Sequence, residues 1–370
     1  MKPLTPREKI RYGRHLSLTE VGEAGQEKLK NTSVLVIGVG GLGSPLALYL
    51  AAAGIGRLTI VDFDKVDESN LQRQILFSTR EVGMLKVDVA YERLHALNPE
   101  IAIERVPLRF SLDNAARLVA EHDIVADGAD NFATRFLVND ACVLGGKPLV
   151  SSSLLAFEGQ LSVFNYRGGP CYRCLYPEPP QAGAVPSCAE GGVLGALCGV
   201  MGSLQAVEVV KVALGHESLS GSLLHFDAWA TLVQKFKIRK NPECPVCGEK
   251  PTVRKLADTV AQCGMPAAEV TEISALELAQ RRRDFLFLDV REAGEIAKGQ
   301  IAGAIWIPLG ELKSRLGELP RDREIAVYCK VGGRSRRAAE LLGQDGRKAV
   351  SLAGGALAWA KDVDPSLVVD

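Results

Sequence analysis

The stretch "SVLVIGVGGLGS", residues 33–44, constrains the fold more than any other. Its β-branched apolar run reads as a buried strand, and the glycines behind it as a tight turn. The apolar residues from Ser44 to Ala53 read as a helix. A strand that turns through glycine into a helix opens a parallel βαβ unit that binds nucleotides. In this reading Gly38 permits the turn, Gly40 lets the backbone approach a phosphate, and Gly43 lets the helix pack on the strand. Asp62 ends the next strand, residues 57–64, placed to accept from a ribose hydroxyl. These residues alone fit a nicotinamide enzyme as well as an adenine-nucleotide enzyme.

Strands and helices then alternate. A helix over 86–98, a strand over 101–106, a helix over 114–121 and a strand over 123–128 follow, then a helix over 132–145 and a strand from 147. This order predicts a mostly parallel sheet with helices on both faces, a Rossmann-like α/β fold. From about residue 154 the pattern changes to an antiparallel extension, with strands at 160–166 and within 222–238. Between them lies an apolar helix, 193–214, in which Gln205, Glu208 and Lys211 argue against a membrane span. Residues 248–270 read as a linker. A fresh small α/β pattern fills 271–370, enough residues for its own core. The domains expected are therefore 1–247 and 271–370.

Lys and Arg total 44, and Asp and Glu total 44, so there is no electrostatic case for a nucleic-acid partner. The first residues, "MKPLTPREKIRYGRHLS", lack an apolar signal region, which predicts a cytoplasmic protein. Nine cysteines there point to metal ligation or catalysis rather than disulfides. Cys171 and Cys174 form one C-x2-C knuckle, and Cys244 and Cys247 another. Two such knuckles predict a tetrahedral structural zinc that clips two remote segments, with no open position for catalysis. Cys142 and Cys198 fall in apolar helical stretches and read as inert core, and Cys263 lies in the linker without a reading.

The residues beyond Asp62 break the tie between cofactors. Asn70 and Arg73 follow it closely, Lys86 begins the next helix, and Asp130 ends strand four. Two cations and an acid beside phosphates suit triphosphate chemistry, with Asp130 able to hold Mg2+. Hydride transfer does not need that set. The motifs "GxGGLG", "VDFDKVDESNLQRQ", "GMLK" and "DGADNFATR" together resemble the ubiquitin-activating-like adenylyltransferases that include MoeB and ThiF, over about residues 5–247. The resemblance implies ATP, with Gly41 at the phosphates, Asp62 at the ribose, Asn70, Arg73 and Lys86 near the phosphates, and Asp130 at magnesium. It also marks Asp64, Ser69, Leu71, Gln72 and Asn131 as cofactor-binding. It further implies a homodimer in which Arg14 reaches the neighbour's site. In such enzymes a cysteine matching Cys188 can attack the activated carrier or resolve a disulfide.

Residues 270–365 resemble a rhodanese, through "FLDVREAGEIAKGQIAGAIWIPLGEL", "VYCKVGGRS" and "LAGGALAW". In that reading Cys329 ends a strand and opens a loop whose inward N–H groups, with Lys330, Arg334 and a helix N-terminus, favour an anionic sulfur. Asp289 and Arg291 brace the loop. Gln300 and Ala302 stand where such domains usually carry histidine and proline. Together the two resemblances imply ATP-dependent adenylylation of a small ubiquitin-like sulfur carrier ending in Gly-Gly, of the MoaD, ThiS or CysO type. A Cys329 persulfide then supplies the sulfur of a thiocarboxylate. Its sulfur comes from a cysteine desulfurase or from thiosulfate, and Cys188 is the candidate second thiol. Two alternatives are a conjugation activator with a carrier thioester on Cys188, and a nicotinamide-dependent oxidoreductase with a redox tail. The five histidines show no acid–base arrangement that the latter needs.

Overall fold

Apolar runs alternate with helical stretches along the first two-thirds of the chain, and the architecture follows from them. The structure, a computed structural model, describes residues 2–180, 192–257 and 270–369. It divides into two compact units, Met1–Gly264 and Met265–Asp370.

The first unit is built on eight strands: β1 Ser33–Ile37, β2 Arg57–Val61, β3 Ala102–Val106, β4 Ile124–Asp127, β5 Leu149–Leu155, β6 Glu158–Phe164, β7 Ser222–Asp227 and β8 Leu232–Lys237. They lie in the order β3-β2-β1-β4-β5-β6-β7-β8. The first five are parallel, and β6 to β8 extend the sheet antiparallel. The order reverses between β1 and β4, so the carboxyl ends of these strands open a crevice there. Strands β1 and β4 are buried along almost their whole length, as a central strand covered on both faces requires.

The helix Gly195–Leu214 is long and apolar enough to cross a membrane, yet more than half of it is buried inside this unit. Most of its polar groups find partners there, the buried Gln205 Oε1 excepted. Gln205 donates to the carbonyls of Asp127 and Val150, and Glu208 accepts from the Leu219 N–H and pairs with Lys211. The helix is a core element whose polar groups stitch β4 and β5 together.

The second unit holds five parallel strands, β9 Glu272–Ile273, β10 Phe285–Asp289, β11 Ile305–Trp306, β12 Glu324–Tyr328 and β13 Ala349–Leu352, in the order β11-β10-β12-β13-β9. Both faces of β12 are covered, with Tyr328 packing into one apolar cluster and Val327 into the other. The two-residue strands β9 and β11 and the short helix Ala293–Ile296 were not foreseen. Residues 248–257, expected as linker, begin as ordered turns. The N–H groups of Thr252 and Val253 bond to the Pro245 carbonyl, and Leu256 packs on the core.

Candidate functional site

At the reversal of strand order lies a cavity of about 290 Å³. Four helices begin at its wall: Gly43–Ala53, Lys86–Leu97, Phe132–Leu144 and Gly195–Leu214. The positive ends of four helix dipoles thus converge on one space, which favours a polyanion. Gly38 takes the left-handed φ of +81° that the turn needs. A Cβ on Gly43 would collide with the Gly38 carbonyl oxygen. That is backbone, which cannot step aside. Gly43→Ala is therefore expected to destabilise the first unit by about 3 kcal/mol or more and to weaken nucleotide binding. Thermal melting with and without ATP measures both, and an unchanged Tm would refute the packing argument.

Of the residues expected to bind cofactor, Gly38, Gly40, Gly41, Asp62, Asp64, Arg73, Lys86, Asp130 and Asn131 line the cavity. Gly43, Ser69, Asn70, Leu71 and Gln72 do not. Gly43 acts through packing, and Ser69 to Gln72 belong to a turn behind the wall. That turn is capped by Asp67, and its Ser69 carbonyl accepts from Arg73 at 3.0 Å, which fixes the arginine at the cavity. Asp62 accepts from the N–H groups of Val39 and Asp64, so its carboxylate is tied to the glycine turn itself. Burial pushes its carboxyl up, while those two N–H groups and Lys86 pull the other way. Lys86 lies 3.1 Å from Asp64, a partly exposed carboxylate that incoming phosphate oxygens can replace. Asp130 lies exposed at the carboxyl side of β4 with no ion-pair partner among the described residues, a donor suited to a hard divalent cation.

Several residues on the wall or directly behind it were missed, Asp127 being one that supports the Gly128–Ala129 turn without lining the cavity. Gln74 is 5% exposed, and its Oε1 has no hydrogen-bond partner. A buried orphan acceptor on a cavity wall is ready for a ligand donor. Asp127, fully buried, accepts from Ser151 and the Ala129 N–H, and burial raises its pKa. Arg135 donates to the Ala129 carbonyl and shapes the same turn. Arg109 lies over the Phe63 ring at 4.1 Å, and both line the cavity. Cys198, expected as inert core, is buried but also lines the cavity, against Gly41. Arg14 is exposed on the helix Gly13–Leu16 and does not line this cavity.

The four knuckle cysteines converge. Their sulfurs all lie within 4.8 Å of one another, with Cys171–Cys244 at 3.5 Å and Cys174–Cys247 at 3.4 Å. A tetrahedral zinc with bonds of about 2.3 Å needs sulfurs roughly 3.8 Å apart, so the set fits. Burial and the neighbouring thiols push Cys171 far up, and burial with the Cys174 contact pushes Cys247 up to about 12. Burial opposes ionisation of Cys244 too, but N–H groups of Cys247 and Val246 pull it below the usual thiol range. A bound dication would let all four be thiolates. The first knuckle is anchored by a buried ion pair, Arg173 to Asp140 on the helix Phe132–Leu144, with two contacts of 2.8 Å. The same helix begins at the cavity.

In the second unit Cys329 follows β12 and is 1% exposed. The Gly332 N–H donates to its sulfur at 3.1 Å, and the helix Gly333–Gln344 starts just beyond. Gly332 has φ +106°, a turn that only glycine takes easily. Behind the thiol, the buried Ser335 hydroxyl lies 3.7 Å from it and 2.9 Å from Ser351. Asp289 and Arg291 form a fully buried bidentate pair, and Arg291 also donates to the Gly299 carbonyl. Gln300 donates to the Ala304 carbonyl at 3.5 Å. Arg334, expected to add positive charge to the loop, is instead paired with Glu295 through two contacts of 2.6 Å. Cys188 and Cys263 lie outside the described residues.

Residues 12–246 match the ThiF family, and residues 274–362 match the rhodanese-like domain. The chain is 43% identical to the "Adenylyltransferase and sulfurtransferase MOCS3" of Anopheles gambiae, covering 97% of this chain and 88% of that protein. It is 44% identical to the "Probable adenylyltransferase/sulfurtransferase MoeZ" of Mycobacterium tuberculosis, over 99% of this chain and 96% of that one. A "Sulfur carrier protein adenylyltransferase" of Thermus thermophilus is 51% identical over 70% of this chain and 98% of its own length. Among solved structures, E. coli MccB with ATP aligns at a TM-score of 0.56 and 24% identity, over 64% of this chain and 73% of that one, and shares the fold.

Proposed function

The chain belongs to the ThiF family and carries a rhodanese-like domain behind it, and on that premise we propose how its two sites divide one reaction. It is an adenylyltransferase and sulfurtransferase that activates a sulfur carrier protein and then transfers sulfur to it. Residues 1–247 adenylylate, residues 271–370 hold the sulfur, and 248–270 connect them. The carrier is ubiquitin-like and presents a C-terminal Gly-Gly carboxylate.

A carboxylate is a poor electrophile. Its oxygen attacks the α-phosphorus of ATP, pyrophosphate leaves, and an acyl adenylate results. Gly41 and the surrounding N–H groups, with Arg73 and Lys86, hold the phosphates, and Asp62 accepts from the ribose. Asp130, with Asn131 beside it, would hold Mg2+, which supplies charge neutralisation at the phosphates. Arg14 acts in the partner's cavity of a homodimer. Exposed apolar side chains, among them Ile10, Trp229, Val233 and Phe236, supply surface for such a partner or for the carrier.

The Cys329 persulfide then attacks the acyl carbon and expels AMP, giving an acyl disulfide. A second thiol, with Cys188 the candidate, attacks the Cys329 sulfur and releases the thiocarboxylate. The two cysteines are left as a disulfide that an external thiol must reopen. This chemistry requires reduced thiols, in keeping with a cytoplasmic location.

The observation that carries the adenylylation reading is the cavity walled by four helix N-termini, Arg73, Lys86 and Asp130. Its test is ATP–pyrophosphate exchange dependent on a carrier ending in Gly-Gly. Asp130→Ala is expected to lower exchange by about a hundredfold or more. Undiminished exchange would remove Asp130 from the site, and absence of exchange with any such carrier would remove the reading.

A further inference from the structure

The mouth of the Cys329 loop carries less net charge than its sequence suggests. Arg334 and Glu295 meet through two hydrogen bonds, both side chains partly buried, so their charges cancel where they stand. Glu295 lies 39 residues before Arg334, on the short helix Ala293–Ile296, and its own capping bond to the Glu292 N–H fixes it there. Its pairing with Arg334 lowers its pKa, so the pair is fully ionised at neutral pH. The remaining charges leave little spare: Arg291 is spent on Asp289, Arg336 on Glu272, and Glu292 adds a negative field at Arg334. Lys330 is the loop cation with no carboxylate partner among the described residues.

This arrangement bears on which sulfane donor can approach. With thiosulfate, the Cys329 thiolate attacks the outer sulfur, the S–S bond breaks and sulfite leaves as a dianion. Three negative charges meet in that step, and they need cations free to receive them. With a protonated persulfide R–S–SH, the thiolate attacks the terminal sulfur, R–S⁻ leaves, and Cys329 becomes Cys329–S–SH. One negative charge is carried through, and the Gly332 N–H with the helix N-terminus suffices for it.

We propose that Glu295 is a specificity-determining residue of the sulfurtransferase site, which neutralises Arg334 and makes the loop take sulfur from persulfides in preference to thiosulfate. The proposal rests on the sulfurtransferase reading above and adds the class of donor to it. A protein or small-molecule persulfide is the substrate class it names.

The test uses the full chain and two donors, cysteine persulfide and thiosulfate, with sulfur gain on the Cys329 peptide followed by mass spectrometry. The wild-type protein favours persulfide by kcat/KM. Glu295→Gln frees Arg334 and shifts the thiosulfate-to-persulfide ratio of kcat/KM upward by about tenfold, mainly through a lower KM for thiosulfate. Glu295→Asp keeps the wild-type ratio, and adding Arg334→Gln to Glu295→Gln removes the gain. A loop merely loosened by the substitution would move both donors in parallel and would not be rescued by removing Arg334. A parallel change, an unchanged ratio, or a wild-type preference for thiosulfate overturns the proposal. If Cys329 gains sulfur from neither donor, the sulfurtransferase role of Cys329 itself falls, which is a different result from a wrong donor.

Discussion

Cys329→Ala leaves ATP–pyrophosphate exchange intact and stops thiocarboxylate formation, a loss of at least about a thousandfold in transfer. The separation follows from the fold. Cys329 sits in the second unit, with its own sheet and its own apolar clusters, while the described residues that line the nucleotide cavity belong to the first. Removing one sulfur atom from the end of β12 changes neither the glycine turn nor the four helix starts. It does remove the atom that the Gly332 N–H and Ser335 are arranged around. Serine would not serve in its place, because an alkoxide carries no sulfane sulfur. The measurement is paired: exchange for the first step, and carrier mass for the gain of sulfur in place of oxygen. Thiocarboxylate at the normal rate would remove Cys329 from the reaction, and loss of both activities would show that the two units fail together.

Cys244→Ser is expected to abolish zinc binding by the knuckles and to cost much of the stability of the first unit. Structural zinc held by four thiolates is worth on the order of 10 kcal/mol of apparent binding energy, and a hydroxyl is a poor substitute. The loss reaches further than the knuckles. Cys171 and Cys174 flank Arg173, whose buried pairing with Asp140 ties them to the helix Phe132–Leu144. That helix starts at Asp130 and Asn131 on the cavity wall. A slack knuckle therefore loosens the nucleotide site from behind. Metal analysis is expected to show about one zinc per chain in the wild type and none in the variant, with a lower Tm and weaker exchange. A metal-free protein with the wild-type Tm and full exchange would refute the structural role.

The sheet was readable because its central strands are apolar and buried. Strands β1, β2 and β4 stand out as β-branched runs, and the change from parallel to antiparallel beyond residue 154 showed in the broken alternation with helices. Strands β9 and β11 did not show, because two residues carry no period. The nucleotide wall was half legible. Gly38, Asp62 and Asp130 have meaning at strand ends, where sequence order and position coincide. Gln74 and Arg135 acquire theirs only when β4 lies beside β1 and the turn after Arg73 folds under the glycines. Cys198 looked inert because helical pattern reports burial and not what the buried face meets. Arg334 was read as a free cation since its partner Glu295 is remote in sequence and sits on a helix of four residues. The knuckle cysteines were the clearest signal, because spacing within each pair already encodes the geometry of the ion.

The two knuckles also decide how the chain would come apart. Everything from β7 to β8, with the apolar helix before them, lies between Cys174 and Cys244 along the backbone. A zinc bound by both pairs closes that stretch into a ring. A protease that severs the ring once would leave two pieces fastened at their ends by the ion as well as by the pairing of β6 with β7. A metal held there would work as a latch on connectivity, and the wound and the separation would become two events instead of one.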